Sequence, residues 1–596
     1  MLRFIGVKKK RLSISSEGNW VMSNIIAELR RRLGGVVSTE SLNDYIYLAG
    51  ISIAIGITVG FLSVAVHEIY HYMHLFSEYL HHVNELFVII LPVTGITLAY
   101  WMVMKYSTTK QSGGGSHRLL EAYHFEGGIM TAKDTLFEPL ASTITMGVGG
   151  SAGFEGPSLL LGGGIGSLVA QRLNLEPSEI QRFLISGAAA GVAAIFKAPF
   201  TGIMFALEIP YKRDITRQAF IPATLASISS YLVAVNFMGT DAFFPLIPRF
   251  VIPSPWAMIH AFLIGILMAL GGTFFVRFFD IVKEVREGLH IKPILVPVIG
   301  GLIVGVIGLF LPEVLGVGYE TVQEIIAGNI GDWSTGFLIA LFFFKVFVTC
   351  VTLSSGGSGG VFVPSLYVGA VLGALYIRFI PVPDEQVLIV AAMASIIASA
   401  NKTLLTSVAF VAETAGPSSI IFTLVAAATS YFISRDISFY SHVQPIDEFT
   451  EDEEAMHVLY HFIKKQRNPE IFNEVKVEDV MATDPVALPE SMRIGEAMKA
   501  IQGCRNREFP VTRRGRVIGQ MNLEDLITQP KKSLQIGYLP MEHPAVLTKD
   551  DSLQHALEYF IESEVSCVWV VDNLDKMRLA GVLNEEDLRV KMLELM

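Results

Sequence analysis

The chain has 596 residues, of which 51% are hydrophobic and 17% charged, with a formal net charge of −11 at pH 7. Mean hydropathy is +0.49, and a soluble chain carries about 25% charged residues, so the composition excludes a wholly soluble protein. The acidic balance argues against nucleic acid as a partner, and Cys350, Cys504 and Cys567 are too few and too scattered for a disulfide framework or a zinc cluster.

Residues 1–47 read as a cytoplasmic N-terminal segment. They hold Lys8, Lys9, Lys10 and Arg11, then Arg30, Arg31 and Arg32, and a basic flank keeps its side of the membrane cytoplasmic. The first apolar run comes too late for a cleavable signal peptide. From about 48 to 445 the sequence is nearly continuous apolar segments, which predicts a membrane domain in two halves, about 48–240 and 250–445.

The first two apolar segments, 48–70 and 86–105, are long enough to span. The first ends on "VHEIYH", in which His67, Glu68 and His71 spell H-E-x-x-H. On a helix that spacing stacks two imidazoles beside a carboxylate, as in zinc proteases. A membrane-embedded zinc protease also needs a third ligand, typically an Asp in an Asp-Gly turn, and Asp-Gly occurs nowhere in this chain. The simpler expectation is that His67, Glu68, His71 and His74 cap the first helix at the water interface, with no metal site.

Later segments are short and broken by Gly and Pro: 141–150, 157–170, 182–195, 198–209, 361–377, 387–400 and 404–414. Irregular backbone survives at membrane depth only inside protein or around a cavity, and broken helices in both halves mark a site near the midplane. "GVGGSAGFEGPS" (147–158) and "SSGGSGGVFVPS" (354–365) share one layout: a glycine loop, a Pro in the first helical turn, then an apolar helix. Two helix N-termini aimed at one point bind an anion through backbone N–H groups and helix dipoles.

After 445 the sequence turns charged. A helical linker (446–475) precedes two similar units, 476–530 and 531–596, each reading helix, strand, turn, strand, helix. A repeat of this size implies two modules packed as a pair.

Together these features resemble the CLC family of chloride channels and chloride/proton exchangers, with a C-terminal CBS domain pair. "GFEGP" is similar to the family's G-K/R-E-G-P, "GGVFVP" to its G-x-F-x-P, and "GAAAGVAAIFKAPFTGIMFALE" (187–208) to the helix pair between them. The resemblance implies an all-α inverted-repeat membrane domain with broken helices, a cytosolic α/β CBS pair, a homodimer with one anion pathway per subunit, and both termini in the cytosol. It implies that Glu155 is the gating glutamate, that backbone N–H groups at Phe154, Gly156, Val361 and Phe362 face the anion, and that the Tyr440 hydroxyl donates to it. A buried carboxylate beside an anion path is costly when charged, so its protonation follows occupancy and pH.

The chain departs from the family pattern in several places. "GGGSH" (113–117) falls on G-S-G-I-P, which puts Gly114 on the anion-binding serine and loses the proline; Ser112 or Ser116 substitutes if the register slips. Ile209 stands where exchangers carry a second, proton-relaying glutamate. Phe154 stands where Lys or Arg is usual, Glu138 where Lys is usual, and Lys197 where a small or polar residue is usual. Either Glu138 and Lys197 pair as exchanged charges or, as is simpler, one of them lies on the surface. The expected function is passive, voltage- or pH-gated anion conduction through Glu155, with proton-coupled exchange as the alternative, and with no enzymatic activity or required cofactor. In the CBS pair Asn522 with Asp525 and Asn584 with Asp587 fall on the ribose-holding positions, implying an adenine nucleotide; a purely structural pair is the competing reading.

Overall fold

The computed structural model describes residues 42–595 apart from 111–113, 241–243, 245–253, 290, 383, 447–455, 457–458, 461–462, 464–470, 484, 503–507, 530–531 and 564. The basic clusters before residue 33, Ser112, Cys504 and most of the expected linker lie outside the described residues. The chain divides into two compact units, Met1–Glu448 and Phe449–Met596.

The first unit is helical. Its first half holds α1 (Leu42–Val83), α2 (Phe87–Tyr106), α3 (Gly115–Phe125), α4 (Ala132–Gly147), α5 (Glu155–Arg172), α6 (Pro177–Phe196), α7 (Pro199–Glu208) and α8 (Phe220–Met238). Its second half holds α9 (Pro255–Gly288), α10 (Leu295–Phe310), α11 (Tyr319–Ala327), α12 (Thr335–Ser354), α13 (Phe362–Phe379), α14 (Glu385–Asn401), α15 (Leu404–Thr414) and α16 (Ile420–Ile433). Among the described residues 7 helices are long and apolar enough to cross a membrane. The others are too short or, as with α5, not apolar enough: α7, with 10 residues, reaches about 15 Å, half of a hydrocarbon core about 30 Å thick. Their free ends are therefore satisfied inside the protein.

The expectation that the first helix ends near residue 70 is corrected. No Gly or Pro interrupts residues 61–83, so α1 runs 42 residues to Val83. His67, Glu68, His71 and His74 lie within it and cap nothing.

Elsewhere the small residues let helices touch. A Cβ on Gly162 of α5 would lie 2.0 Å from the Gly187 carbonyl oxygen of α6, so these helices pack backbone to backbone. Two carboxylates then close the short helices across the halves. Glu208, the last residue of α7, accepts from Leu405 N (2.8 Å), Thr406 N (2.7 Å) and Thr406 Oγ1 (2.6 Å) at the start of α15. Glu413, near the end of α15, accepts from Phe200 N (2.9 Å), Thr201 N (2.7 Å) and Thr201 Oγ1 (2.6 Å) at the start of α7. Each carboxylate satisfies the orphan N–H groups of the other helix and meets the positive end of its dipole.

The second unit contains two modules of one topology. In the first, β1 (Leu488–Pro489) runs parallel to β2 (Glu508–Arg513), which pairs antiparallel with β3 (Arg516–Asn522). In the second, β4 (Val546–Thr548), β5 (Cys567–Val571) and β6 (Leu579–Asn584) repeat that order. Helices α17 (Ile494–Ala500) and α18 (Leu523–Thr528) belong to the first module, α19 (Leu553–Ser563) and α20 (Glu585–Leu595) to the second. Each module has its own apolar core. Gln520 joins them, its side-chain oxygen accepting from Ala545 N at 3.2 Å and from the buried Trp569 Nε1 at 3.1 Å.

Candidate functional site

The two glycine loops meet. Gly153 N donates to Gly360 O at 2.9 Å and Gly360 N donates to Gly153 O at 2.8 Å. Around this pair the halves exchange matched contacts. Ser151 Oγ lies 2.8 Å from Thr349 Oγ1, and Ser358 Oγ lies 2.8 Å from Ser142 Oγ. Ser151 N donates to Thr352 Oγ1 at 3.2 Å, and Ser358 N donates to Thr145 Oγ1 at 3.1 Å. These groups are buried, and buried non-helical backbone is stable only when so satisfied. The result sets the N-termini of α5 and α13 side by side.

Glu155, the first residue of α5, is completely buried. Its Oε1 accepts from Phe362 N, the first residue of α13, at 2.5 Å. Its Oε2 has no partner. A carboxylate thus sits on the N-terminus of the opposite half's helix, where backbone N–H groups and the dipole favour an anion. A Cβ on Gly360 would lie 1.9 Å from Glu155 Oε1, so glycine there makes the seat.

The other expected site residues gather around it. Phe154 is the N-cap of α5, with its ring edge-on to Tyr70 at 4.7 Å. Gly156 backs onto the start of α3: a Cβ on it would lie 3.2 Å from Gly115 N and 3.4 Å from Ser116 N. Val361 is the N-cap of α13. Gly114 is the N-cap of α3, where a Cβ would lie 3.5 Å from Gly359 O. Tyr440 is buried, with the His117 ring 5.0 Å away.

The hydroxyl absent at Gly114 reappears two residues later. Ser116 is buried and its Oγ faces the Tyr440 hydroxyl, yet neither hydroxyl has a partner in hydrogen-bond geometry. Two orphaned buried hydroxyls aimed at one place are costly unless something polar comes between them. His117, standing where the family has proline, turns its Nε2 to Phe439 O at 3.1 Å and lines the same place. Sequence reasoning left Ser116 as a register-dependent substitute and missed His117; the displaced proline was the available signal.

Of Glu138 and Lys197, one of which is expected at the surface, neither is fully exposed. Glu138 is buried, and its Oε1 accepts from Ser107 Oγ at 3.0 Å and Thr109 Oγ1 at 3.5 Å. Lys197 is half-buried at the left-handed C-cap of α6, within electrostatic reach of His67. Ile209 is buried, its carbonyl accepting from Gln444 Nε2 at 2.9 Å. His67 is half-buried while Glu68 and His71 are exposed, and no third ligand joins them among the described residues. In the second unit Asn522 starts α18 and donates to Glu542 Oε1 at 3.3 Å, with Asp525 exposed. Asn584, just before α20, donates to Asp587 Oδ2 at 3.0 Å.

A family model described as voltage gated chloride channel matches residues 95–435, and the CBS domain model matches residues 477–531 and 536–594. A putative ClcB-like chloride channel protein of Ralstonia nicotianae is 30% identical over 288 residues, 48% of this chain; the match spans 65% of that relative's length. A slow cyanobacterial Cl−/H+ antiporter superimposes with a TM-score of 0.59 at 20% identity, over 65% of this chain and 94% of its own. A CLC-type fluoride/proton antiporter superimposes with a TM-score of 0.59 at 21% identity, over 68% of this chain and 100% of its own. The fold is the one those transporters share, and the chain belongs to the voltage-gated chloride channel family, with two CBS domains behind its membrane domain.

Proposed function

We propose that this chain is a passive anion pathway gated by Glu155, with chloride as the conducted ion. The observation that carries the reading is the Glu155 carboxylate on the N-terminus of α13, bonded to Phe362 N at 2.5 Å. The carboxylate stands in an anion's place; when it is protonated or swings away, the same N–H groups take the ion. Phe154, Gly156, Val361 and Phe362 supply the backbone around the ion, and Tyr440 with Ser116 supplies hydroxyl donors in place of a serine at Gly114.

Passive conduction is supported by Ile209, which is buried and apolar, since low-dielectric protein without a titratable group raises the barrier to a proton. Its neighbour Glu208 is held by three hydrogen bonds at the start of α15. Coupled exchange is the second reading, favoured by the two structural neighbours described as proton antiporters. The deciding measurement is proton uptake by weakly buffered proteoliposomes under a chloride gradient, with voltage clamped by potassium and valinomycin. Conduction predicts chloride flux without stoichiometric protons; uphill proton movement at a fixed ratio overturns it.

The reading includes a homodimer, cytosolic termini and an adenine nucleotide at Asn522, Asp525, Asn584 and Asp587. The dimer rests on membership of the family. Calorimetric titration of ATP, ADP and AMP tests the nucleotide; no heat with any of them leaves the CBS pair structural.

A further inference from the structure

The histidines of α1 do not make a protease site, but the next turns of that helix bring metal-ligating groups together. His74 and Glu78 lie four residues apart, so they share a helix face, with His74 Nε2 3.5 Å from Glu78 Oε1. Glu320, in the first turn of α11, comes from the other half of the membrane unit. One ligand atom from each of the three lies within 4.8 Å of the others. His74 and Glu78 are half-buried and Glu320 is exposed, which leaves an open side for an ion and a water.

One imidazole and two carboxylates, with room for water, suit a borderline divalent ion. Zinc takes such donors at about 2.0–2.2 Å in a tetrahedron, so the cluster needs only side-chain rotation and a small contraction to close. An ion also offsets the repulsion between the two carboxylates.

The cluster is linked to the gate through aromatic contacts. Tyr70, one turn before His74, stacks on the His74 ring at 5.7 Å and 5°. The same tyrosine meets Phe154 edge-on at 4.7 Å and 90°, and Phe154 precedes Glu155. On the other side Tyr319, next to Glu320, lies within electrostatic reach of both Glu155 and Tyr70. An ion bridging α1 and α11 therefore fixes the aromatic wall through which Glu155 must move.

We propose that His74, Glu78 and Glu320 bind a divalent transition-metal ion of the zinc type, and that its binding slows anion flux. Binding is independent of the proposed function; the effect on flux rests on the reading of Glu155 as gate.

The test is zinc chloride titrated into metal-stripped, purified full-length protein, followed by calorimetry, alongside anion efflux from proteoliposomes with and without zinc. Saturable binding in the micromolar range and slowed efflux are expected in the wild type. His74→Ala and Glu320→Gln should each weaken zinc binding by about 10-fold or more and shift inhibition by the same factor, and Glu320→Gln should leave efflux without zinc unchanged. Absence of wild-type binding below millimolar zinc overturns the site, as does equal binding by His74→Ala. Binding that is lost in His74→Ala but never alters wild-type efflux overturns the coupling to the gate. Proton-coupled efflux that zinc still slows leaves this proposal standing and sinks only the passive reading.

Discussion

Glu138 on α4 and Lys345 on α12 occupy matched positions in the two halves. Ser142 Oγ donates to the Glu138 carbonyl at 3.0 Å, and Thr349 Oγ1 donates to the Lys345 carbonyl at 2.8 Å. Ser142 and Thr349 then reach across to Ser358 and Ser151 in the same way. A carboxylate in one half thus corresponds in position to a lysine in the other, and the cation missing at Glu138 is present at its symmetry mate. Lys345 is completely buried and donates to Val314 O at 3.1 Å and Gly316 O at 2.9 Å, with its Nζ 4.7 Å over the Tyr367 ring.

Lys345 holds the turn that leads into α11. Lys345→Met leaves the buried Val314 carbonyl and the part-buried Gly316 carbonyl without this donor, at a cost of about 1–3 kcal/mol. Purified variant should melt at a lower temperature than wild type in the same detergent. An unchanged melting temperature sinks this role.

Glu155→Gln keeps the shape of the gate and removes its charge. Flux in proteoliposomes across a range of pH should lose most of its pH dependence, because the side chain no longer titrates. Retained pH dependence means that another group gates.

Ser116→Ala removes one of the two hydroxyls that lack a partner. With nothing between them the change is neutral or stabilising, since an orphan is relieved; with an anion there it costs about 1 kcal/mol of binding, roughly fivefold. Chloride calorimetry on Ser116→Ala and Tyr440→Phe distinguishes the two. Unaltered affinity in both rejects the hydroxyl site.

Glu208 and Glu413 are capping groups by geometry. Glu208→Gln and Glu413→Gln should each destabilise the membrane unit, by about 1 kcal/mol for a weakened cap. Neither should change the ratio of protons to chloride. A change in that ratio in Glu208→Gln alone would assign Glu208 to a proton path.

In the second unit, burial raises the Glu508 carboxyl above its ordinary value, helped by the nearby Glu542 charge. Burial and Glu508 together push the Cys567 thiol up to about 12, so it stays protonated. For an acid whose folded value is raised, the native state holds its proton more tightly than the unfolded state. Its stabilising contribution is full below the ordinary glutamate value and is lost as pH rises through the folded one. Glu508→Gln should therefore raise the melting temperature of the CBS unit at pH 7, with the gain shrinking as the solution is acidified. A gain that is flat with pH contradicts the burial account.

The change from apolar to charged sequence near residue 445, the glycine loops and the prolines opening α5 and α13 were legible in the sequence, because each is a local signal carried by neighbouring residues. Glu155 was legible for the same reason, as the carboxylate of one loop. The tertiary structure alone decided what these signals meet. The mutual bonds of Gly153 and Gly360, the exchanged caps of Glu208 and Glu413, the facing hydroxyls of Ser116 and Tyr440, and the gathering of His74, Glu78 and Glu320 all join residues remote in the chain. They follow from the two-fold arrangement of the halves, which brings their loops face to face. The length of α1 was misread because histidine and glutamate look like a water boundary, whereas a helix ends only where its backbone can be satisfied otherwise. The sequence left open which of Glu138 and Lys197 lies inside; Glu138 does, because Ser107 and Thr109 supply hydrogen bonds there, and a buried polar group persists where the fold provides its partners.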